Sequence, residues 1–173
     1  SPPVRELFGE TGLGYSMASR YGDLVWTAGH LTGNADQTDP FETQVEVLLD
    51  DLEVWQKTNV TAFLVSGIAG TVPGVVGEPY RDATGNEYLP MFVQPVLVYE
   101  ADGDAVRRAY ERAMSRGVTP AVYTRDLFAT NHDEANRAAV AEVAADDLDL
   151  VGIAVRAERK TVDKIVDRLR FHP

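Results

Sequence analysis

An α/β sandwich built around a largely covered sheet is the fold this sequence predicts, on three observations. Strand-like runs rich in β-branched and aromatic residues, such as "MFVQPVLVYEA" and "LDLVGIAVRA", recur along the chain. Amphipathic helical runs, such as "DGDAVRRAYERAMSRG" and "RKTVDKIVDRLR", stand between and after them. The chain has 173 residues, 45% of them hydrophobic, which suffices for one sizeable core and at most a small appendage.

In chain order, "GYSMASRYGDLVWTAG" carries two short apolar runs around "RYGD", whose Gly-Asp suits a tight turn, and reads as a β-hairpin. "HLTGNADQTDP" has no periodicity and reads as a linker, with a boundary near Pro40, so the organisation expected is a hairpin extension over 1–40 and a domain over 41–173. "FETQVEVLLDDLEVWQK" fits two periods. Phe41, Val45, Leu48, Leu52 and Trp55 share a helical face, while Val45, Val47 and Leu49 alternate as in a strand. A strand over about 44–50 is favoured, since "DDLE" then serves as a polar turn into a helix starting near Val54 or Trp55. "TVPGVVGEPYRDATGNEYLP" reads as an irregular arm or hairpin with its turn at Thr84-Gly85-Asn86. "MFVQPVLVYEA" is the next strand, followed by a helix with an acidic start and Gly117 past its end. "TPAVYTRDLF" supplies a strand, "DEANRAAVAEVAADD" an Ala-rich helix, "LDLVGIAVRA" a strand and "RKTVDKIVDRLR" the final helix.

Charge and composition exclude several function classes. Sixteen Lys and Arg against 27 Asp and Glu give a net charge of -11, so the average surface repels phosphate and anionic lipid, and nucleic acid is not the expected partner. The absence of Cys removes disulfides, thiolate metal sites and a cysteine nucleophile, which suits a cytoplasmic protein. The apolar runs are too short to span a bilayer, and "SPPVRELFGE" lacks the pattern of a signal peptide. Neither "TGLG" nor "SRG" has phosphate-loop spacing, and no nucleotide cofactor is expected. His30, His132 and His172 lack a second His at ligand spacing, so no metal site is expected. "ERAMSRG" and "RAERK" are local basic spots that read as solvated helix faces.

The helix start "WQKTNVTAFLVSGI" places Lys57, Thr58 and Asn59 ahead of an apolar run. Capping of the free amides explains polar residues there. A pocket for an anionic or carbonyl ligand at the helix start explains them too, and Lys57 and Asn59 exceed what capping requires.

"DDLEVWQKTNVTAFLVSGI", "GEPYRDATGNEYLP", "QPVLVYEA", "LFATNHDEAN" and "LVGIAVRAERKTVDKIV" resemble, in order and spacing, the uncharacterised bacterial family known as domain of unknown function 2000, with its type-two peptidyl-tRNA hydrolase-like fold. The resemblance covers about 41–173 and implies a three-layer sandwich on a small mixed sheet. It also implies catalytic positions. Lys57 falls where those hydrolases carry a Lys, and Asp126 and Thr130 in "RDLFAT" match their Asp-to-Thr loop spacing. In ester or amide hydrolysis Asp126 would orient water, Lys57 would stabilise the oxyanion and Thr130 would position either. Asn59 and Phe128 depart from the hydrolase pattern, which has Lys and Gly there; with Thr58 they are the candidate ligand-binding residues of an altered substrate surface.

"GLGYSMASRYGDLVWTAG" resembles instead the opening hairpin of the reactive intermediate (imine) deaminase family, without that family's second half. Three functions are therefore expected in competition: a hydrolase acting on a small acyl ester or amide, a non-catalytic small-ligand or assembly module dimerising through the hairpin, and an imine-handling enzyme using Tyr15 and Ser16.

Overall fold

The computed structural model describes the strands Arg5–Glu10, Ser16–Tyr21 and Leu24–Thr27 and all of 42–173. The chain divides into two compact units, Ser1–Asp39 and Pro40–Pro173. In the first, β1 (Arg5–Glu10), β2 (Ser16–Tyr21) and β3 (Leu24–Thr27) form an antiparallel sheet in the order β1-β2-β3. The expected hairpin strands thus pair, and β1 adds a third that the sequence reading did not include. The turn residues Gly22 and Asp23 and the linker over 30–40 lie outside the described residues.

The second unit has a mixed α/β architecture: a five-stranded mixed sheet and four helices among the described residues. β4 (Glu42–Leu49) leads into α1 (Val54–Thr71), and a two-stranded arm follows, β5 (Tyr80–Arg81) with β6 (Glu87–Tyr88). Then come β7 (Val96–Ala101), α2 (Gly103–Ser115), β8 (Ala121–Thr124), α3 (Asp133–Ala141), β9 (Leu150–Glu158), α4 (Arg159–Ile165) and β10 (Arg170–Phe171). The sheet order is β10-β7-β4-β9-β8. β4 and β7 run parallel, and β4, β9 and β8 alternate in direction, so β4, β7 and β8 all end at the same edge.

β4 sits at the centre of this sheet and is buried from Gln44 to Leu49, which explains why its sequence fits two periods: both faces of the strand are covered. Leu48 faces α1. A Cβ added at Gly152, its partner on β9, would lie 2.8 Å from Val60 and 3.1 Å from Leu64 of α1. Val45, Val47 and Leu49 face the other way, toward α2 and α4, with Leu49 beside Gly103 at the start of α2. Val106, Ala109, Ala113, Val162 and Ile165 complete that side of the core.

Several elements are shorter than the sequence suggests, each for a tertiary reason. In "MFVQPVLVYEA" the strand begins only at Val96, because the preceding backbone pairs elsewhere: Val93 donates to Val75 and Gly77 to Met91. "TPAVYTRDLF" stays extended only to Thr124, where the pairing with β9 slips; Arg125 turns away, its amide donating to the Asp149 backbone carbonyl and its guanidinium pairing with the Asp149 carboxylate at 2.9 Å. The Ala-rich helix stops at Ala141, and Arg107 of α2 holds the following segment through the carbonyls of Ala145 and Leu148. The final helix stops at Ile165, and Arg168, at φ 67°, reverses the chain into β10. The arm turns where expected, with Gly85 at φ 92°. The Asp82 carboxylate accepts from the amides of Thr84 and Asn86 and from the side chains of Thr84, Asn86 and Tyr88, which holds it well below the usual carboxylate range.

Candidate functional site

The common edge where β4, β7 and β8 end is the place where open α/β sheets present ligand-binding groups, and α1 begins there. The cap of α1 does not use the polar trio. Gln56 accepts a hydrogen bond from the Glu53 amide at 3.0 Å, tying off the helix start. The Thr58 hydroxyl folds back onto the carbonyls of Val54 and Trp55, at 3.1 and 2.9 Å. Lys57 and Asn59 leave the helix on opposite flanks. Lys57 reaches toward β7, where Glu100 lies 3.7 Å from its ammonium group, and His172 approaches the same carboxylate at 3.9 Å from beside β10.

Asn59 faces β8. Its Oδ1 accepts from the Tyr123 hydroxyl at 3.2 Å, and burial raises the Tyr123 phenol above its ordinary range, keeping it a neutral donor. Trp55, Asn59 and Phe63 recur every four residues and form one stripe of α1. Opposite them stand Tyr123 and Phe128, the latter in the 3-10 turn Arg125–Ala129 that follows β8. Trp55 meets Phe128 edge-on with centroids 5.7 Å apart, Phe63 meets Tyr123 edge-on at 5.8 Å, and Tyr123 and Phe128 are tilted at 5.1 Å. Trp55 is 61% exposed and Phe63 50%, so the two flanking rings of this cluster present broad apolar surface to solvent. The Tyr123 bond occupies the Asn59 carbonyl and leaves its NH2 without a partner among the described residues. Asn59 is exposed, so this NH2 is a solvent-facing donor on the stripe that carries Trp55 and Phe63.

The expected catalytic residues are placed as follows. Asp126 is exposed in the same 3-10 turn as Phe128 and has no ion pair or hydrogen bond among the described residues. The Thr130 hydroxyl donates to the Leu127 carbonyl at 2.8 Å and engages the Asn136 side chain, locking the turn to α3, whose first turn His132 caps through the Ala135 amide. Lys57 is not brought to either. Its partner strand β7 is separated from β8 by β4 and β9, about 14 Å of sheet at ordinary strand spacing. Tyr15 lies outside the described residues, and for Ser16 only the backbone of β2 is described.

Trp55, Phe63 and Tyr123 were missed by sequence reasoning, although the four-residue spacing of Trp55, Asn59 and Phe63 was visible. Glu100 was missed too; its signal was a charge at an alternating position of an otherwise apolar strand. Among the described residues no group of three or more His, Asp or Glu is arranged to hold a metal ion, and no helix is long and apolar enough to cross a membrane.

Residues 44–173 match the model of a family described as "Protein of unknown function (DUF2000)". A solved structure of a protein of unknown function, Atu0240 from Agrobacterium tumefaciens strain C58, is 44% identical, with a TM-score of 0.74; the match covers 76% of this chain and 98% of that one. No curated protein matches.

Proposed function

The chain belongs to the DUF2000 family, and from that premise we propose that it binds a small molecule carrying a flat apolar group and a carbonyl acceptor in the aromatic cleft between α1 and the turn after β8. One observation supports this reading: Asn59, exposed and with no partner for its NH2 among the described residues, shares a stripe of α1 with the exposed rings of Trp55 and Phe63, and Tyr123 and Phe128 pack beside them. Rings offer apolar area at little entropic cost, and one oriented donor selects an acceptor on the ligand. A small acyl ester or amide has both features.

A second reading, hydrolysis of that same ligand class, is favoured by Asp126, which shares the 3-10 turn with Phe128 and is free to orient water. It also rests on the resemblance of "RDLFAT" to the Asp-to-Thr loop of type-two peptidyl-tRNA hydrolases. Lys57 supports it less, because Glu100 already answers its charge. Peptidyl-tRNA itself fits poorly on a chain of net charge -11.

Titration with N-acetylphenylalanine methyl ester, followed by NMR and by release of the free acid, separates the readings. Binding shifts the Trp55 indole and Asn59 side-chain resonances, and Phe128→Ala removes those shifts. Turnover that Asp126→Asn abolishes while binding persists establishes the hydrolase; binding without turnover leaves a binding protein. Absence of any shift contradicts both.

Dimerisation through the first unit belongs to the same proposal. Within its three-stranded sheet both β1 and β3 are outer strands, and outer strands pair readily with other chains. Sedimentation of the full chain against residues 40–173 tests it: a dimer in the first and a monomer in the second is expected.

A further inference from the structure

The two basic runs, "ERAMSRG" over 111–117 and "RAERK" over 156–160, converge. Arg112 and Arg116 at the end of α2 and Lys160 and Lys164 of α4 line one open groove of about 490 Å³, together with Asp163 and Asp167. Both carboxylates are already answered by arginines, Asp163 by Arg159 at 4.0 Å and Asp167 by Arg168 at 3.6 Å. Arg112 is committed to structure, since its guanidinium donates to the carbonyls of Ile165 and Asp167 and ties off the end of α4. One nitrogen of Arg116 donates to the Arg112 carbonyl. Neither Arg116 nor the two lysines has a carboxylate partner among the described residues. The chain contains three lysines, and two of them are here, four residues apart on one helix, where like charges oppose one another. Four of the chain's 16 cationic residues thus line this groove with two of its 27 acidic ones.

We propose that this groove binds a phosphate-bearing small molecule. A multiply charged tetrahedral anion accepts from the free donors of Arg116 and from two ammonium groups at once, and relieves the repulsion between Lys160 and Lys164. The occupant is small, because the patch is local and the rest of the surface repels a long polyanion. The groove lies on the α2 and α4 side of the sheet, the aromatic cleft on the α1 side, so the two sites are independent.

Calorimetric titration of the full chain with inorganic diphosphate at low salt tests this. Saturable binding is expected, about ten-fold or more weaker in Lys160→Gln/Lys164→Gln and unchanged in Arg137→Gln, which removes a cation from α3. Both lysines are exposed, so the double variant keeps its fold, checked by an unchanged melting temperature. Equal affinity in the double variant overturns the proposal, as does loss of binding in Arg137→Gln. A single-stranded oligonucleotide that binds more tightly than diphosphate overturns the assignment to a small molecule.

Discussion

Glu46 is the most consequential single residue of the core. It is fully buried in the central strand, on the face that carries Leu48, and among the described residues neither carboxylate oxygen has a partner within hydrogen-bond geometry, the Thr61 hydroxyl only approaching it; the neighbouring Gln44 Oε1 has none either. Burial pushes its carboxyl up to about 7, with the Thr61 hydroxyl offsetting part of the rise. The unfolded chain loses this proton near pH 4.5 and the folded chain only near pH 7, so over that window the folded state holds more protons. Stability therefore falls as pH rises from 4.5 to 7, by about 3 kcal/mol from this group, and is level above. Glu46→Gln is expected to remove that falling limb and to be more stable than wild type at pH 8, by a margin that shrinks toward pH 5, as read by urea denaturation across pH. Gly152 acts by size alone. With Val60, Leu64 and Leu48 at 2.8, 3.1 and 3.2 Å from an added Cβ, Gly152→Ala is expected to lift α1 from the sheet and cost about 1–3 kcal/mol. An unchanged denaturation midpoint would show that α1 is held less tightly than these contacts imply.

Among the elements, those legible in the sequence are those whose signals are local. α2 was readable because Asp102 caps it, its side chain accepting from the Ala105 amide at 2.8 Å, and Gly117 beyond its end takes φ 69°. β10 and the 3-10 turn after β8 were not readable. The first depends on the reversal at Arg168 and on pairing with Glu100 and Tyr99 of β7, the second on Asp149, 24 residues from Arg125. The candidate site divides in the same way. Asn59 and Phe128 were singled out as departures from a resemblance, and both contact Tyr123, one through its hydroxyl and the other through its ring. Lys57, Asp126 and Thr130 were grouped by that resemblance, yet the sheet order separates the strand that Lys57 reaches from the one that leads into the turn of Asp126. No spacing along the chain encodes strand order across a sheet. Thr130 has a prediction at this scale. Its hydroxyl joins the 3-10 turn to α3, so Thr130→Val is expected to loosen that turn and weaken ester binding, with faster amide exchange at Leu127 and Phe128 as the readout. Exchange left as in wild type would show that the turn holds without it.

At the scale of the whole molecule, net charge and unit structure set the expectations. The five-stranded sheet and the apolar core described here lie within Pro40–Pro173, so a chain of residues 40–173 is expected to fold by itself in one cooperative transition, followed by calorimetry. A broad transition in that chain, sharpened by restoring 1–39, would make the first unit part of the core's stability. The excess of 27 acidic over 16 basic residues disfavours nucleic acid across the surface as a whole, while Arg112, Arg116, Lys160 and Lys164 gather in one groove, the site proposed above for a small anion. The central claim is that the cleft of Trp55, Asn59, Phe63, Tyr123 and Phe128 is a binding site. Its most direct test is the affinity of N-acetylphenylalanine methyl ester for wild type, Trp55→Ala and Asn59→Ala, measured by NMR titration of the full chain. Saturable shifts confined to the cleft, with each substitution weakening binding by about ten-fold, are the expected result. Undiminished affinity in both variants, or shifts confined to residues outside the cleft, would contradict it.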